Sequence, residues 1–356
     1  MPVVSASELR EFCVALLMAE QMPQDEAGVV ADVMIDANLS GVDSHGVSRL
    51  ASYMDRIRQG GSRRSVKIDV LEDFPAGAVW DACGSFGQPV ARMAMEAAME
   101  KARKTGVGFI SVRNNNHTGA NACHVRQAAE AGFIGMVAGN GPSMVAPFGS
   151  ATPFFSTNPF SMGYPCAPGE GEFAKETSVI MDMATSVSAR GKIILAAKEG
   201  RSIPTGWAVD SVGNDTSDPA AALKGALIPF GGHKGYAIAF MVEVLAGLLS
   251  GAGTGPSMPD HLGGGSKLIG AGNLFAAVNV ELFVGLEHFR TSMREMVDSI
   301  RSGVVRPGFS EIMTPGQPEY RTRLRRWEEG LPLSDKVYDE LAAEGARYGL
   351  TMPSGR

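Results

Sequence analysis

The sequence predicts an α/β fold in which a mixed-sheet region is flanked by helical segments at both ends of the chain. Three observations predict it. Apolar residues recur at helical spacing between Leu9 and Gln59, strand-like and helix-like segments alternate from about residue 76, and the chain turns helical and charged again after about Arg290. At 356 residues, 44% of them hydrophobic and 20% charged, the chain can bury two sizeable cores.

Ser5-Ala6-Ser7-Glu8 has the spacing of a capping box, and Leu9, Phe12, Cys13, Leu16 and Leu17 follow on one helical face. A helix therefore starts almost at the N-terminus, and the start reads as a folded element and not a leader. Asp25 to Asn38 reads as a second helix, with Val29, Val30, Val33 and Met34 on one face and Gly41 as its stop. After the polar loop Val42-Asp43-Ser44-His45-Gly46, Val47 to Gln59 reads as a third. If its first turn begins near His45, the four-residue spacing puts His45 and Arg49 on one face. In the α/β region Phe109 to Val112, Ile134 to Val137 and Val179 to Met181 read as strands, and Val90 to Lys104 and Ala122 to Glu130 as helices. The 44 glycines gather in turns such as Gly139-Asn140-Gly141-Pro142, Gly231-Gly232 and Gly263-Gly264-Gly265, where backbone can approach a ligand closely. Tyr236 to Leu249 is the longest apolar run; it contains Glu243, is too short to span a bilayer and reads as a buried helix. The cluster Arg321, Arg323, Arg325, Arg326, Glu328 and Glu329 reads as a solvated helix face.

Composition excludes several functions. A net charge of −6 gives no general attraction to nucleic acid or to an anionic membrane, so an anionic ligand must be held by local positive groups. Cys13, Cys83, Cys123 and Cys166 are widely spaced, which suits reduced thiols and a cytoplasmic location, with Cys123 as a small buried hydrophobe. The six histidines, His45, His117, His124, His233, His261 and His288, have no spacing that makes a zinc site, so no metal is expected. Neither a G-x-G-x-x-G turn after a strand, a P-loop, an H-E-x-x-H pair nor a G-x-S-x-G elbow occurs. An ordinary Rossmann domain, a P-loop NTPase, a zincin and an α/β-hydrolase are all unsupported.

The chemistry-bearing residues fall in loops. Asn114-Asn115-Asn116-His117-Thr118-Gly119-Ala120-Asn121 joins a strand-like run to a helix-like one, where free N–H groups and the helix dipole favour a phosphate or carboxylate. His117 is the one titratable side chain in it and can exchange a proton with what binds. Ser44-His45 with Arg49 offers a proton donor, a hydroxyl to orient it and a guanidinium fork for a carboxylate. The same three residues would equally serve as a helix cap, a surface histidine and a snorkelling arginine. Gly231-Gly232-His233-Lys234-Gly235 brings a cation to the start of the apolar run, a second anion cradle or a solvated tight turn. Thr157-Asn158-Pro159 and Asp182-Met183-Ala184-Thr185 are further candidates for ribose or amide contacts.

Taken in order, Asp43-Ser44-His45-Gly46 with Arg49, Asn116-His117-Thr118-Gly119, Ser156-Thr157-Asn158-Pro159, Asp182 to Thr185 with Ala189-Arg190-Gly191-Lys192, and Gly231 to Gly235 resemble the malate/L-lactate dehydrogenase family. That group of non-Rossmann dehydrogenases includes ureidoglycolate dehydrogenase, sulfolactate dehydrogenase and Δ1-piperideine-2-carboxylate reductase. The resemblance implies a homodimer and a non-Rossmann, mixed-sheet domain that binds NAD or NADP, over residues 76–294. A helical substrate and dimerisation domain would be built from residues 1–75 with 295–356. It implies hydride transfer between the nicotinamide and C2 of a small 2-oxo or 2-hydroxy acid. His45 would donate the proton, Ser44 orient it and Arg49 clamp the carboxylate, with Thr157 near the substrate and His117 a rival for the acid/base role. Residues His117, Thr118, Gly119, Ala120 and Asn121 would line the pyrophosphate, and Asp182, Met183, Ala184, His233 and Lys234 would meet the cofactor. Cyclic imino acid reduction is the alternative on the same scaffold, with Asp182 or the position of Lys192 as its relay carboxylate; a lysine at 192 weighs against it. A catalytically silent protein that holds a small carboxylate or nucleotide is the alternative of another class.

Overall fold

The computed structural model describes residues 1–259 and 265–355, so His261, Gly263 and Gly264 lie outside the described residues. The chain opens with a short strand β1 (Val3–Val4) and helix α1 (Ala6–Ala19), which buries the predicted face of Leu9, Phe12, Cys13, Leu16 and Leu17. The capping box does not form, because the Ser5 hydroxyl bonds Ser7 Oγ at 2.9 Å and makes no cap bond. Helix α2 (Gln24–Leu39) buries Val30, Val33 and Met34, and the chain leaves it through Gly41 at φ 80°.

The third predicted helix starts later than its pattern suggests. Asp43–His45 and Val47–Arg49 are two single 3₁₀ turns separated by extended Gly46, and α3 proper is Leu50–Gln59. Asn38, at the end of α2, causes the break: its Oδ1 accepts from the Val47 N–H at 2.8 Å while its Nδ2 donates to Asp43 Oδ1 at 2.7 Å. A side chain at Gly46 would put its Cβ 2.1 Å from Asn38 Oδ1.

Strands β2 (Asp69–Phe74) and β3 (Gly77–Asp81), helix α4 (Gly87–Thr105), β4 (Val107–Asn115), α5 (Ala122–Glu130), β5 (Phe133–Gly139), β6 (Phe160–Pro165) and β7 (Ser178–Met183) follow. Next come α6 (Arg190–Lys198), β8 (Ala208–Val209), α7 (Pro219–Lys224), β9 (Ala226–Leu227), α8 (His233–Val242), β10 (Ala271–Asn279), α9 (Glu281–Val284) and α10 (Leu286–Arg301). The chain ends with α11 (Gln317–Glu329), β11 (Leu331–Pro332) and α12 (Asp335–Ala346).

The main sheet has the order β2-β3-β4-β10-β5-β6-β7 and is antiparallel throughout except for the β3–β4 pair. Helices α4 and α5 cover one face, where Val90, Met95, Ala98 and Val125 pack on Ile110, Val112, Val137 and Phe275. The segment after α8 covers the other, with Val242 and Ala246 on Ala138 and Leu274. A separate core joins α1, α2 and α3 to the C-terminal Leu331, Leu333 and Leu341, and β1 pairs with β11 to close it. Among the described residues no helix is long and apolar enough to cross a membrane.

Two further expectations are corrected. The apolar run from Tyr236 is not a buried helix: α8 continues into a π-helical turn over 243–248, and Phe240, Met241, Leu248 and Leu249 are 54%, 38%, 63% and 57% exposed. The arginine cluster of α11 is not simply a solvated face. Arg323 pairs with Asp36 of α2, Arg326 grips Asp43 with two nitrogens at 2.7 and 3.1 Å, and Arg321 bridges Glu172 and Glu311.

Candidate active site

The two domain-like cores meet around a cleft of about 870 Å³. It is lined by Ser44, His45 and Arg49, by Asn116 to Ala122, by Thr157, and by Asp182, Met183 and Ala184. Residues that sequence reasoning set on separate loops are thus brought to one space. His233 and Lys234 are not: they begin α8, are exposed, and neither lines the cleft, His233 resting edge-on against Phe148.

The first wall is the turn 43–49. Its position is set from two sides, by Asn38 within α2 and by Arg326, which reaches across from α11 to the Asp43 carboxylate. Ser44 Oγ lies 3.0 Å from His45 Nδ1, and Arg49 Nε donates to the Ser44 carbonyl at 2.7 Å. Arg49 makes no ion pair among the described residues, so its terminal N–H groups are available to a carboxylate. Burial, helped by the Arg49 charge, pushes His45 down to about 4, so its imidazole is neutral near pH 7.

The second wall follows β4. Asn116 is spent on structure, donating to Gly84 and Ser85 carbonyls and accepting from Arg56. That fixes His117, whose ring stacks on His45 with centroids 5.4 Å apart and whose Nδ1 lies 2.8 Å from Tyr53 Oη. Gly119 has φ 78°, and a Cβ there would meet Val33 at 2.5 Å. His124, buried in the first turn of α5, holds the Thr118 carbonyl at 3.1 Å, and burial pushes it down to about 4 against that bond.

The start of α5 departs from the expected anion cradle. Asp182 Oδ2 accepts from the Ala122 N–H at 2.8 Å, so the protein's own carboxylate already stands at that helix terminus. Its other oxygen accepts from Ser161 Oγ at 2.5 Å. Burial raises Asp182 against these bonds. Thr157 is half-buried at the cleft and its carbonyl takes both the N–H and the hydroxyl of Thr185.

Several residues in the cleft or packed behind it escaped the sequence reading. Asp36 is buried between Arg126 of α5 and Arg323 of α11; burial works against its charge, and the two guanidiniums outweigh it and hold its carboxyl below the usual range. The signal available in sequence was a carboxylate three positions beyond Val33 on an otherwise apolar helix face. Tyr53 and His124 carried no signal, since each looks like an ordinary core residue. In all, Arg49, Arg126, Arg190, Lys192 and Arg323 line the cleft against Asp36, Asp182 and Glu319, a surplus of two positive charges in a chain of net −6.

The family model for malate/L-lactate dehydrogenase matches residues 4–342. The chain belongs to this family. It is, like its relatives, an oxidoreductase of dehydrogenase type. It is 36% identical over 343 residues to an L-sulfolactate dehydrogenase of Methanothermobacter thermautotrophicus, covering 95% of each chain. It is 32% identical to a Δ1-pyrroline-2-carboxylate reductase of Ancylobacter novellus, covering 97% of this chain and 98% of that one. The solved structure of sulfolactate dehydrogenase from Methanocaldococcus jannaschii superposes with a TM-score of 0.90 at 32% identity, covering 98% of both chains. The family implies a nicotinamide cofactor, and the cleft fits one. Its volume suits a dinucleotide with a small acid, and its surplus positive charge suits a pyrophosphate. Arg190 in the first turn of α6 has a buried Nε without a hydrogen-bond partner among the described residues, a donor that awaits an acceptor.

Proposed function

We propose that the chain transfers a hydride between a nicotinamide cofactor, NAD or NADP, and C2 of a small 2-oxo or 2-hydroxy acid. The observation that carries this is the Ser44–His45–Arg49 turn facing His117 across a cleft of dinucleotide size. When bound, the nicotinamide supplies or accepts the hydride. Arg49 holds the substrate carboxylate, and because its Nε is tied to Ser44 the clamp and the proton donor move as one unit. His45 gives a proton to the developing alkoxide in reduction and takes it back in oxidation. Ser44 follows both states, since a hydroxyl can donate to or accept from Nδ1. A carboxylate on Arg49 offsets the charge that helps depress His45 and so favours its protonation when an acid is bound.

His117 to Asn121, with Asp182, Met183 and Ala184, form the cofactor side, and Arg190 and Lys192 add positive charge there. His233 and Lys234 belong to this side only if α8 shifts or a second subunit brings them close. We further propose a homodimer in the cytoplasm, with a helical domain of residues 1–75 and 295–356 beside a non-Rossmann cofactor domain of 76–294. The antiparallel main sheet and the shared core of α1, α2, α3 and α12 support that division.

Cyclic imino acid reduction is the second reading, favoured by the resemblance to the pyrroline-2-carboxylate reductase. Against it, Asp182 spends its oxygens on Ala122 and Ser161, and Lys192 stands in the cleft.

The test follows reduced-nicotinamide absorbance with NADH or NADPH and a panel of open-chain 2-oxo acids and cyclic 2-imino acids. Turnover is expected with an open-chain acid. Arg49→Ala should raise KM strongly while the cofactor Kd stays near its original value, and His45→Ala should lower kcat by about two to four orders of magnitude. Turnover with the cyclic imine alone would replace the hydroxy-acid reading, and binding without turnover of any member would sink both.

A further inference from the structure

His45 and His117 face one another, and a 2-oxo acid reaction needs one proton-moving ring, not two. Their hydrogen bonds differ in kind. The backbone N–H of Gly119 donates to His117 Nδ1 at 3.3 Å. An N–H can only donate, so Nδ1 must present its lone pair, and Tyr53 Oη, 2.8 Å from the same nitrogen, donates as well. The proton of neutral His117 therefore sits on Nε2. His45 is under no such constraint, because Ser44 Oγ can be donor or acceptor to its Nδ1.

Resting on the proposed function, we propose that Tyr53 is a positioning residue that locks His117 in its Nε2–H form. His117 then polarises the substrate C2 oxygen as a fixed hydrogen-bond donor, and His45 alone carries the proton. In reduction the hydride of the reduced nicotinamide forms the new C2–H bond and the C2 carbonyl π pair moves to oxygen; His45, made cationic by a solvent proton once the bound carboxylate offsets Arg49, gives that proton to complete the hydroxyl and returns to the neutral form. His117 ends the step with the proton it began with.

Tyr53 is built for constancy. It is 6% exposed on α3, edge-on to Phe86 at 5.7 Å, and burial pushes its phenol up to about 12, so it remains a donor across the working range. The buried Gln88 carboxamide of α4 faces the phenol. The neighbouring turn of α3 places Arg56, 8% exposed, whose Nη2 donates to Asn116 Oδ1 at 3.1 Å and to the carbonyls of Gly61 and Lys267. The residue preceding His117 is thereby tied to the helix that carries Tyr53. The charged groups facing Tyr53 are Arg49 and Arg56, and the titratable ring facing His117 is His45.

The test reads the tautomer directly, from nitrogen chemical shifts of protein labelled with nitrogen-15 histidine, with His117→Gln to assign the signal. His117 is expected to show an unprotonated Nδ1 and a protonated Nε2 at neutral pH; the opposite tautomer would overturn the proposal. In Tyr53→Phe only the longer Gly119 bond of 3.3 Å is left to hold the tautomer, so the signal should become a mixture, kcat should fall about 10- to 100-fold with the substrate KM within about 3-fold, and the kcat profile should gain an ionisation that the parent lacks. A Tyr53→Phe enzyme with the parent's kcat and pH profile would also overturn it. Absence of turnover in the parent with every 2-oxo acid would fail the proposed reaction instead, and the tautomer would still decide the role of Tyr53.

Discussion

Two histidines tie the site to stability through their burial. His45 and His124 are both pushed down to about 4 from an ordinary 6.5, mainly by desolvation. Below pH 6.5 the unfolded chain takes up protons that the folded chain refuses, so their contribution is present above that pH and is lost as pH falls toward 4. Asp182 and Glu243 act in the opposite sense, since burial raises both carboxyls and the folded chain protonates them first. His124 is the cleaner probe, being 1% exposed. Its share of the loss between pH 6.5 and 5 is on the order of 2 kcal/mol. Urea midpoints should fall over this interval, and His124→Gln, whose amide can still donate to the Thr118 carbonyl, should fall less steeply. Equal slopes would remove His124 from the linkage.

At the scale of the element, the turn 43–49 depends on a glycine whose neighbour leaves no room. A Cβ at Gly46 would displace Asn38, free the Val47 N–H and loosen Asp43. Gly46→Ala is expected to cost about 1–3 kcal/mol of stability and to lower kcat/KM by at least an order of magnitude, with cofactor Kd little changed. An alanine variant with parental kinetics would show that the turn does not orient His45. This element also marks the limit of what was legible. Helix α5 begins and ends where its pattern places it, because Asn121 precedes a clean amphipathic run after a polar loop. Val42 to Gly46 was legible as a polar loop, but Val47 to Arg49 was read as the start of the third helix because the break before Leu50 is imposed by Asn38, a residue in another element. Strand β10 was missed although it is central, since Leu274 and Phe275 face opposite sides and are both buried, which erases the two-residue alternation. The site loops stood out because polar residues have little other reason to interrupt apolar patterns. Asp36, Arg126 and Arg323 did not, because their pairing joins three helices distant in sequence.

For the whole molecule, the deciding feature is the apolar surface that was expected to be core. Phe240, Met241, Leu248 and Leu249 form an exposed run along α8 and the π-helical turn after it, while Glu243 between them is 4% exposed and held by Asn140, Asn158 and the Gly255 N–H. The inner side of this segment is therefore fastened to the sheet by a carboxylate network, and its outer side is apolar. Each such side chain gains roughly 1.5–3 kcal/mol when fully covered, so four together favour burial against a partner over exposure to water. In the proposed homodimer a second copy of the chain would supply that cover. Sedimentation should give a dimer for the parent chain. The double variant Phe240→Asp with Leu248→Asp should sediment as a monomer at low micromolar concentration with its far-ultraviolet dichroism unchanged, because both side chains point away from the Glu243 network. A dimer that survives both charges would place the interface elsewhere, and a monomeric parent would leave this face without a role in self-association.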